Sequence, residues 1–281
     1  LSLHDALPIC YVKSLGSSLG DIGFRGDLSI MRSNGGVMTP ETATERPAAM
    51  MESGPVGGII ASARVGQALG LPNVISFDMG GTTAKAALVR EGEPTMAPGY
   101  YVGGYAGGHP VMLPMIDVVE VGAGGGSIAW IDEVGALKVG PQSAGADPGP
   151  ICYRGGGTEP TITDANVVLG RLDPKNFLGG TMLLDADAAR AGIEEKIAKP
   201  LKMTATAAAS AILEIAIAKM SLAVREVSVQ KGYDPRDFAL IASGGAGPLH
   251  VLAIARELHI PKVVVPLFPS HFSALGSLLA D

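Results

Sequence analysis

Two short glycine-rich motifs carry the residue types in this chain that are best suited to chemistry. The first, residues 77–85 (FDMGGTTAK), offers one carboxylate, two glycines and two hydroxyls: Asp78, Gly80, Gly81, Thr82 and Thr83. Glycines in a tight turn can take positive φ values and expose their backbone amides, and nests of amides bind phosphate. A carboxylate beside phosphate is expected to hold Mg²⁺ or to orient a water molecule. An ordinary Gly-Gly hairpin with a solvated Asp78 is an equally good interpretation of the motif alone.

The second motif, residues 243–250 (SGGAGPLH), follows an apolar strand and opens a helix. Gly244 and Gly245 permit a close approach of the backbone, and Pro248 suits a first helical turn. Free amides at a helix N-terminus can face a nucleotide or can simply turn the chain. Because such turns are common in α/β proteins, this motif gains weight only in combination with the first.

The elements around these motifs alternate between strand and helix. Residues 73–77 and 84–89 predict two buried strands joined in a hairpin, and Asp78 directly follows the first of them. The second half predicts a long helix over 204–231, a strand over 238–243, the second glycine turn, and then another helix and strand. This order favours a layered α/β fold.

A third glycine cluster, residues 122–127 (GAGGGS), lies between two apolar runs and predicts either a structural hairpin or a ligand loop. His109, Asp117 and Glu120 lie near it and form a possible divalent-metal site, although a lone histidine in a Gly/Pro loop is more often a surface residue. Cys152 has no adjacent histidine, so we expect a buried small residue there and not a nucleophile.

The composition excludes several classes of function. With 281 residues, 47% of them hydrophobic and 17% charged, the chain can bury a sizeable core. Its net charge of −6 and the lack of a basic run argue against nucleic acids and anionic membrane surfaces as partners. The most apolar segment, residues 207–218, contains Glu214 and is too short to span a bilayer. Two distant cysteines, Cys10 and Cys152, suggest a reducing compartment, and we expect a cytoplasmic protein.

Seven spaced motifs together resemble the hydantoinase A / 5-oxoprolinase family, within the actin, sugar-kinase and heat-shock ATPase superfamily. They are residues 33–36 (SNGG), 52–58 (ESGPVGG), 77–85 (FDMGGTTAK), 119–130 (VEVGAGGGSIAW), 143–153 (SAGADPGPICY), 161–172 (TITDANVVLGRL) and 242–250 (ASGGAGPLH). The resemblance extends from about residue 26 to residue 281. It implies an α/β, actin-like (ribonuclease H-like) ATPase lobe with a mixed sheet flanked by helices.

Chains of that family are longer, so the resemblance implies a fragment. Residues 1–10 lack an initiator Met and the features of a signal peptide, and we expect them to be a non-native tail. Residues 11–70 would hold the end of a first lobe and a connecting helix, and residues 71–281 would form the second, nucleotide-binding lobe. The fragment alone is expected to be inactive.

The activity that the resemblance implies is ATP-dependent opening of a small cyclic amide. The γ-phosphoryl group would activate the ring carbonyl oxygen, and water would complete the C–N cleavage. Asp78 would be the catalytic carboxylate and the protein ligand of Mg²⁺. The other implied site residues are the phosphate-binding Gly80, Gly81, Thr82 and Thr83 and the adenosine-flanking Gly244, Gly245 and Gly247. The implied cofactors are ATP and Mg²⁺, and the implied partner is a hydantoinase B-like second subunit or domain.

Two alternatives fit the same scaffold. One is a subunit of an ATP-dependent, acetone-type ketone carboxylase, and the other is a non-catalytic nucleotide-binding module. Some members of the family carry an acidic residue where this chain has Lys85, so the resemblance leaves the substrate branch open.

Overall fold

The computed structural model describes residues 3–102 and 108–280, along which helices and strands alternate. The helices are α1 (Leu3–Asp21), α2 (Pro40–Glu45), α3 (Ser53–Ala68), α4 (Ile162–Val168), α5 (Ala186–Ile193), α6 (Ala205–Val227), α7 (Gly247–Glu257) and α8 (Phe272–Leu278). The strands are β1 (Ile30–Met31), β2 (Val37–Met38), β3 (Val74–Met79), β4 (Ala84–Arg90), β5 (Glu93–Pro94), β6 (Tyr100–Val102), β7 (His109–Val111), β8 (Val118–Val121), β9 (Ser127–Ile131), β10 (Leu137–Ser143), β11 (Ala239–Ser243) and β12 (Lys262–Val264).

The chain divides into two compact units whose segments are interleaved in sequence. Unit 1 is formed by the described residues of 1–74, 87–118 and 271–281, and unit 2 by residues 75–86 and 119–270. The sequence prediction placed its boundaries after residues 10 and 70. The observed units differ because β3 and β4 each begin in one unit and end in the other.

Unit 2 is built on a sheet with the strand order β12-β11-β3-β4, and β8 also lies beside β4. Strands β11 and β12 are parallel, and α7 packs against both of them. All five residues of β11 are buried, as expected for an apolar strand that is covered on both faces. Strand β4 pairs antiparallel with β5 in unit 1. The predicted α/β class, with a mixed sheet flanked by helices, is therefore confirmed.

Helix α6 is the main core helix of unit 2. It begins at Thr204, whose hydroxyl accepts a hydrogen bond from the Ala207 amide at 3.2 Å. Its buried face packs against α4, α5 and α7. Within the stretch Ala205–Lys231, a window of 18 residues has a mean hydropathy of 1.7, so by length and composition this helix could cross a membrane, unlike the shorter segment expected from sequence. Packing inside unit 2 accounts for that apolar character.

Unit 1 contains an unusually close crossing of α3 and α8. A Cβ atom on Gly57 would overlap the carbonyl oxygen of Ser273, and one on Gly276 would overlap the carbonyl oxygen of Gly57. The two helices therefore meet backbone to backbone, which only glycine permits at these positions.

Candidate functional site

The first glycine motif forms the predicted hairpin between β3 and β4. The turn is closed by the Gly80 amide, which donates to the Thr83 carbonyl oxygen at 3.1 Å. Two details of the prediction are wrong. Asp78 lies within β3 and not after it, because the strand continues to Met79. Neither Gly80 nor Gly81 is among the described glycines with a positive φ.

The reason for glycine in this region is a second loop that lies against the hairpin. The Gly125 amide donates to the Gly80 carbonyl oxygen at 3.0 Å, and the Gly126 amide donates to that of Gly81 at 2.6 Å. A Cβ atom on Gly124 would overlap the hairpin backbone. The two loops are therefore in direct backbone contact, and each fixes the position of the other.

The GAGGGS cluster, residues 122–127, does not form a hairpin, which was one of the two structures predicted from its sequence. Strand β9 pairs antiparallel with β10, whereas β8 belongs to the larger sheet of unit 2. The loop therefore passes from one sheet to another. It is held by the Ser127 hydroxyl, which accepts from the Gly124 amide at 2.8 Å, and by Thr163, whose amide and hydroxyl both donate to the Gly125 carbonyl oxygen at 2.8 Å.

The second glycine motif lies beside the first. The Ala246 amide donates to the Met79 carbonyl oxygen at 3.0 Å, and the Gly244 amide donates to that of Pro269 at 2.9 Å. Gly244 has a φ of +79°, and a Cβ atom there would collide with the Asp78 carboxylate and the Met79 carbonyl oxygen. The carboxylate of the first motif therefore lies against the backbone of the second.

The three glycines of the second motif have different environments. Gly244 has the positive φ, and Gly245 is not among the described glycines with one. A Cβ atom on Gly245 would meet no atom within 4 Å. Gly247 is buried as the first residue of α7, followed by Pro248 in the first turn.

A cavity of about 420 Å³ opens where these loops meet within unit 2. Its lining residues are Gly80, Gly81, Thr82, Gly125, Gly126, Gly145, Ala146, Pro150, Tyr153, Thr163, Leu172, Phe177, Leu178, Gly245, Ala246 and Leu249. Of the predicted site residues, the cavity brings together Gly80, Gly81, Thr82 and Gly245. Asp78, Thr83, Gly244 and Gly247 are not part of its lining.

The cavity also has an aromatic and aliphatic wall that the sequence analysis missed. The rings of Tyr153 and Phe177 lie 5.6 Å apart between centroids and are tilted by 38°. Leu172 and Leu178 extend this wall. These residues lie in irregular segments or short helical turns without a periodic pattern, so local periodicity does not indicate that they would meet.

A buried carboxylate holds the segment that carries Tyr153. Asp164 is completely buried and accepts hydrogen bonds from the amides of Ile151, Cys152 and Thr161 at 3.2, 2.8 and 2.9 Å, and from the Thr161 hydroxyl at 2.8 Å. The carboxylate thus joins the N-terminus of α4 to the turn at residues 151–153.

Cys152 is buried beside this carboxylate, as predicted. Burial raises the pKa of the Cys152 thiol far above its usual range, and the nearby Asp164 carboxylate raises it further. The thiol is therefore uncharged and unsuited to nucleophilic chemistry. It packs with Val167, Leu184 and Ala189 in a small apolar core behind the cavity wall.

Lys85 is half-buried at the start of β4. Its ammonium group lies 3.1 Å from the Thr83 hydroxyl and 3.2 Å from the Glu120 carboxylate. This contact orients Thr83 at the end of the hairpin. Across the described ranges, no group of three or more His, Cys, Asp or Glu side chains is arranged to hold a metal ion, so the possible site around His109 is not supported.

Comparison with known proteins gives consistent matches over almost the whole chain. The family model described as hydantoinase/oxoprolinase matches residues 7–281. The alpha subunit of caprolactamase from Pseudomonas jessenii is 40% identical over 271 residues, covering 96% of this chain and 38% of that protein. An uncharacterized protein of Methanocaldococcus jannaschii is 48% identical over 279 residues, covering 96% of this chain and 41% of that protein. A nucleotide-free structure of acetone carboxylase superposes with a TM-score of 0.87 at 33% identity, covering 96% of this chain and 37% of that one.

The chain spans about two fifths of the length of these relatives. The family match begins at residue 7, earlier than the first motif on which the resemblance was based, and it includes part of the expected tail. Because the match extends from there to residue 281, the chain belongs to the hydantoinase/oxoprolinase family.

Proposed function

We propose that the cavity of unit 2 binds ATP, with the phosphates at the glycine hairpin and the base against the aromatic wall. The observation that carries this proposal is that two glycine motifs, far apart in sequence, line one cavity through Gly80, Gly81, Thr82 and Gly245. Backbone amides and a hydroxyl suit phosphate oxygens, whereas aromatic rings suit a flat base. The cavity therefore has a polar end and an apolar end, as a nucleotide does.

Helix α7 supports the phosphate assignment. Its N-cap residue Ala246 and its first-turn residue Leu249 line the cavity, so the positive end of the helix dipole lies there. In the proposed complex Gly245 passes close to the nucleotide, since no protein atom lies where its Cβ would be. Thr83, held by Lys85, supports the far side of the phosphate hairpin.

Mg²⁺ is proposed to arrive with the nucleotide. Magnesium is commonly held by one or two carboxylates together with phosphate oxygens and water. The donor set fits that pattern, because Asp78 is a carboxylate at the hairpin and the described residues form no preassembled metal cluster. Bound Mg²⁺ would neutralise charge on the phosphates, while Asp78 would orient it or the attacking group.

The proposed activity of the whole protein is ATP-dependent hydrolysis of a cyclic amide. The ring carbonyl oxygen attacks the γ-phosphorus and releases ADP, water then adds to the activated carbon, and the ring C–N bond breaks as the amine takes a proton. This leaves an acyl phosphate, which a second water molecule hydrolyses to the carboxylate and inorganic phosphate, so two water molecules are consumed overall. The caprolactamase relative supports this class of substrate. A hydantoinase B-like second subunit and a cytoplasmic location are part of the same proposal.

Ketone carboxylation is the second candidate, because the acetone carboxylase structure superposes closely on this chain. The two candidates share ATP activation of a carbonyl oxygen but differ in the group that reacts next. The test is ATP hydrolysis by the full-length protein with its partner subunit, measured with lactams and hydantoins and, separately, with ketones plus bicarbonate. We expect ADP release to be coupled to ring opening. Coupling to ketones alone would favour the carboxylase, and ATP hydrolysis with neither class would contradict both.

The nucleotide site itself is tested by Gly245→Val. We expect the KM for ATP of the full-length enzyme to rise at least about 10-fold, because the valine side chain would occupy space proposed for the nucleotide. The fold should be retained, since the added Cβ meets no protein atom within 4 Å.

Gly16→Val is the matched control, because Gly16 is exposed on α1, a Cβ atom there also meets no atom within 4 Å, and Gly16 is not among the cavity residues. Thermal unfolding of both variants separates loss of binding from loss of structure. An unchanged KM for ATP in a well-folded Gly245→Val enzyme would remove Gly245 from the site.

A further inference from the structure

A buried polar pair joins two of the helices that carry cavity residues. Asn166 on α4 is 1% exposed, and His250 on α7 is fully buried. The side-chain nitrogen Nδ2 of Asn166 lies 3.4 Å from Nε2 of His250 and 3.0 Å from the carbonyl oxygen of Ile162. Both helices also pack on α6, and the pair is a buried polar link between α4 and α7.

The geometry fixes the hydrogen-bonding roles in this pair. The Ile162 carbonyl oxygen can only accept, so the atom of Asn166 that faces it is the amide nitrogen. The second hydrogen of that nitrogen points to His250, whose Nε2 must therefore be the acceptor. The proton of the neutral imidazole then resides on Nδ1. Burial lowers the pKa of His250 to about 4, and the positive charge of Arg171 contributes, so the ring is neutral at physiological pH.

The pair lies directly behind the cavity. Leu249, next to His250 in sequence, and Ala246, one helical turn before it, line the cavity from α7. Thr163, one turn before Asn166, lines it from α4 and holds the Gly125 carbonyl oxygen. The Asn166–His250 link therefore joins the same two helices, α4 and α7, whose N-terminal ends lie on the cavity.

We propose that Asn166 and His250 are positioning residues that set the distance between the N-termini of α4 and α7, and so the width of the nucleotide cavity. This inference rests on the proposed ATP site. Neither side chain lines the cavity, so both act through the cavity residues of their own helices. A neutral imidazole suits this role because protonation would place an N–H against the Asn166 amide and break the link.

The test uses the full-length enzyme with its partner subunit. His250→Phe keeps an aromatic ring but removes the acceptor, and Asn166→Leu removes the donor from the other helix. Each should raise the KM for ATP by about 10-fold while kcat changes less than about 2-fold, because neither touches the phosphate hairpin. The double variant should be little worse than either single one. His250→Gln, which can accept from Asn166, should restore most of the affinity.

His259→Asn, at an exposed histidine beyond the end of α7, is the matched control and should leave the KM unchanged. A KM unchanged in folded His250→Phe and Asn166→Leu enzymes, or lowered kcat at constant KM, would overturn the inference. Failure of both variants to fold would also overturn it, because the pair would then be a requirement of the core. Failure of the wild-type enzyme to bind ATP would contradict the proposed function as well, whereas the other outcomes leave that function intact.

Discussion

Asp78→Asn is expected to lower ATP-coupled turnover of the full-length enzyme by at least about 10²-fold, the scale for loss of a positioned catalytic group. Asparagine keeps the size of the side chain but removes the negative charge. Asp78 lies near the end of β3, half-buried, with its carboxylate against the backbone of Gly244. A carboxylate on the strand that enters the proposed phosphate hairpin is unfavourable unless it acts on a cation or a nucleophile, so its loss should affect catalysis more than folding.

The measurement is kcat as a function of Mg²⁺ concentration, together with thermal unfolding. Asp187→Asn, at an exposed carboxylate in the first turn of α5, is the matched control and should show wild-type kinetics. If Asp78→Asn retains near-normal turnover and an unchanged Mg²⁺ dependence, the first motif is an ordinary hairpin and the phosphate assignment is wrong.

Gly124→Ala is expected to reduce turnover by a similar factor although residue 124 does not line the cavity. The added Cβ atom would lie 2.6 Å from the carbonyl carbon of Gly81 and closer still to the Thr82 backbone. Because these contacts are with backbone, the hairpin must move as a whole, and a displacement of about 1 Å at a catalytic loop can cost about 10²-fold. Overpacking of this kind also lowers stability by roughly 1–3 kcal/mol.

Gly16→Ala separates the packing effect from a general effect of replacing glycine, since a Cβ atom at this exposed position of α1 meets nothing within 4 Å. We expect it to leave activity unchanged and not to lower the temperature of thermal unfolding. Wild-type activity in Gly124→Ala would mean that the loop contact is not needed to hold the hairpin.

The two motifs that carry the site could be predicted because their signals are local. The apolar run before Asp78, the paired glycines and the second apolar run specify a hairpin within 17 residues of sequence, and β3 and β4 occupy Val74–Met79 and Ala84–Arg90. The turn before α7 was predicted for the same reason, from a strand, glycines and Pro248 in order.

The contacts that join these motifs could not be predicted, because they depend on tertiary packing. Gly124 is required by the approach of a loop about 40 residues away in sequence, and local periodicity does not say which strand β9 will pair with. The positive φ of Gly244 could not be assigned from the sequence for a related reason. Either glycine of a Gly-Gly turn can adopt it, and the contact of Gly244 with Asp78 decides between them.

The crossing of α3 and α8 has a consequence for the order in which the protein forms on the ribosome. Gly57 and Gly276 meet backbone to backbone, yet all of unit 2 after residue 118 is synthesised between them. At about 5–20 residues per second, α3 would wait roughly 10–40 s for its partner. During that time β11 and β12 of unit 2 can pair with each other and α7 can pack against them. Unit 1, although residues 1–74 of this sequence belong to it, is therefore the later of the two units to complete its folding.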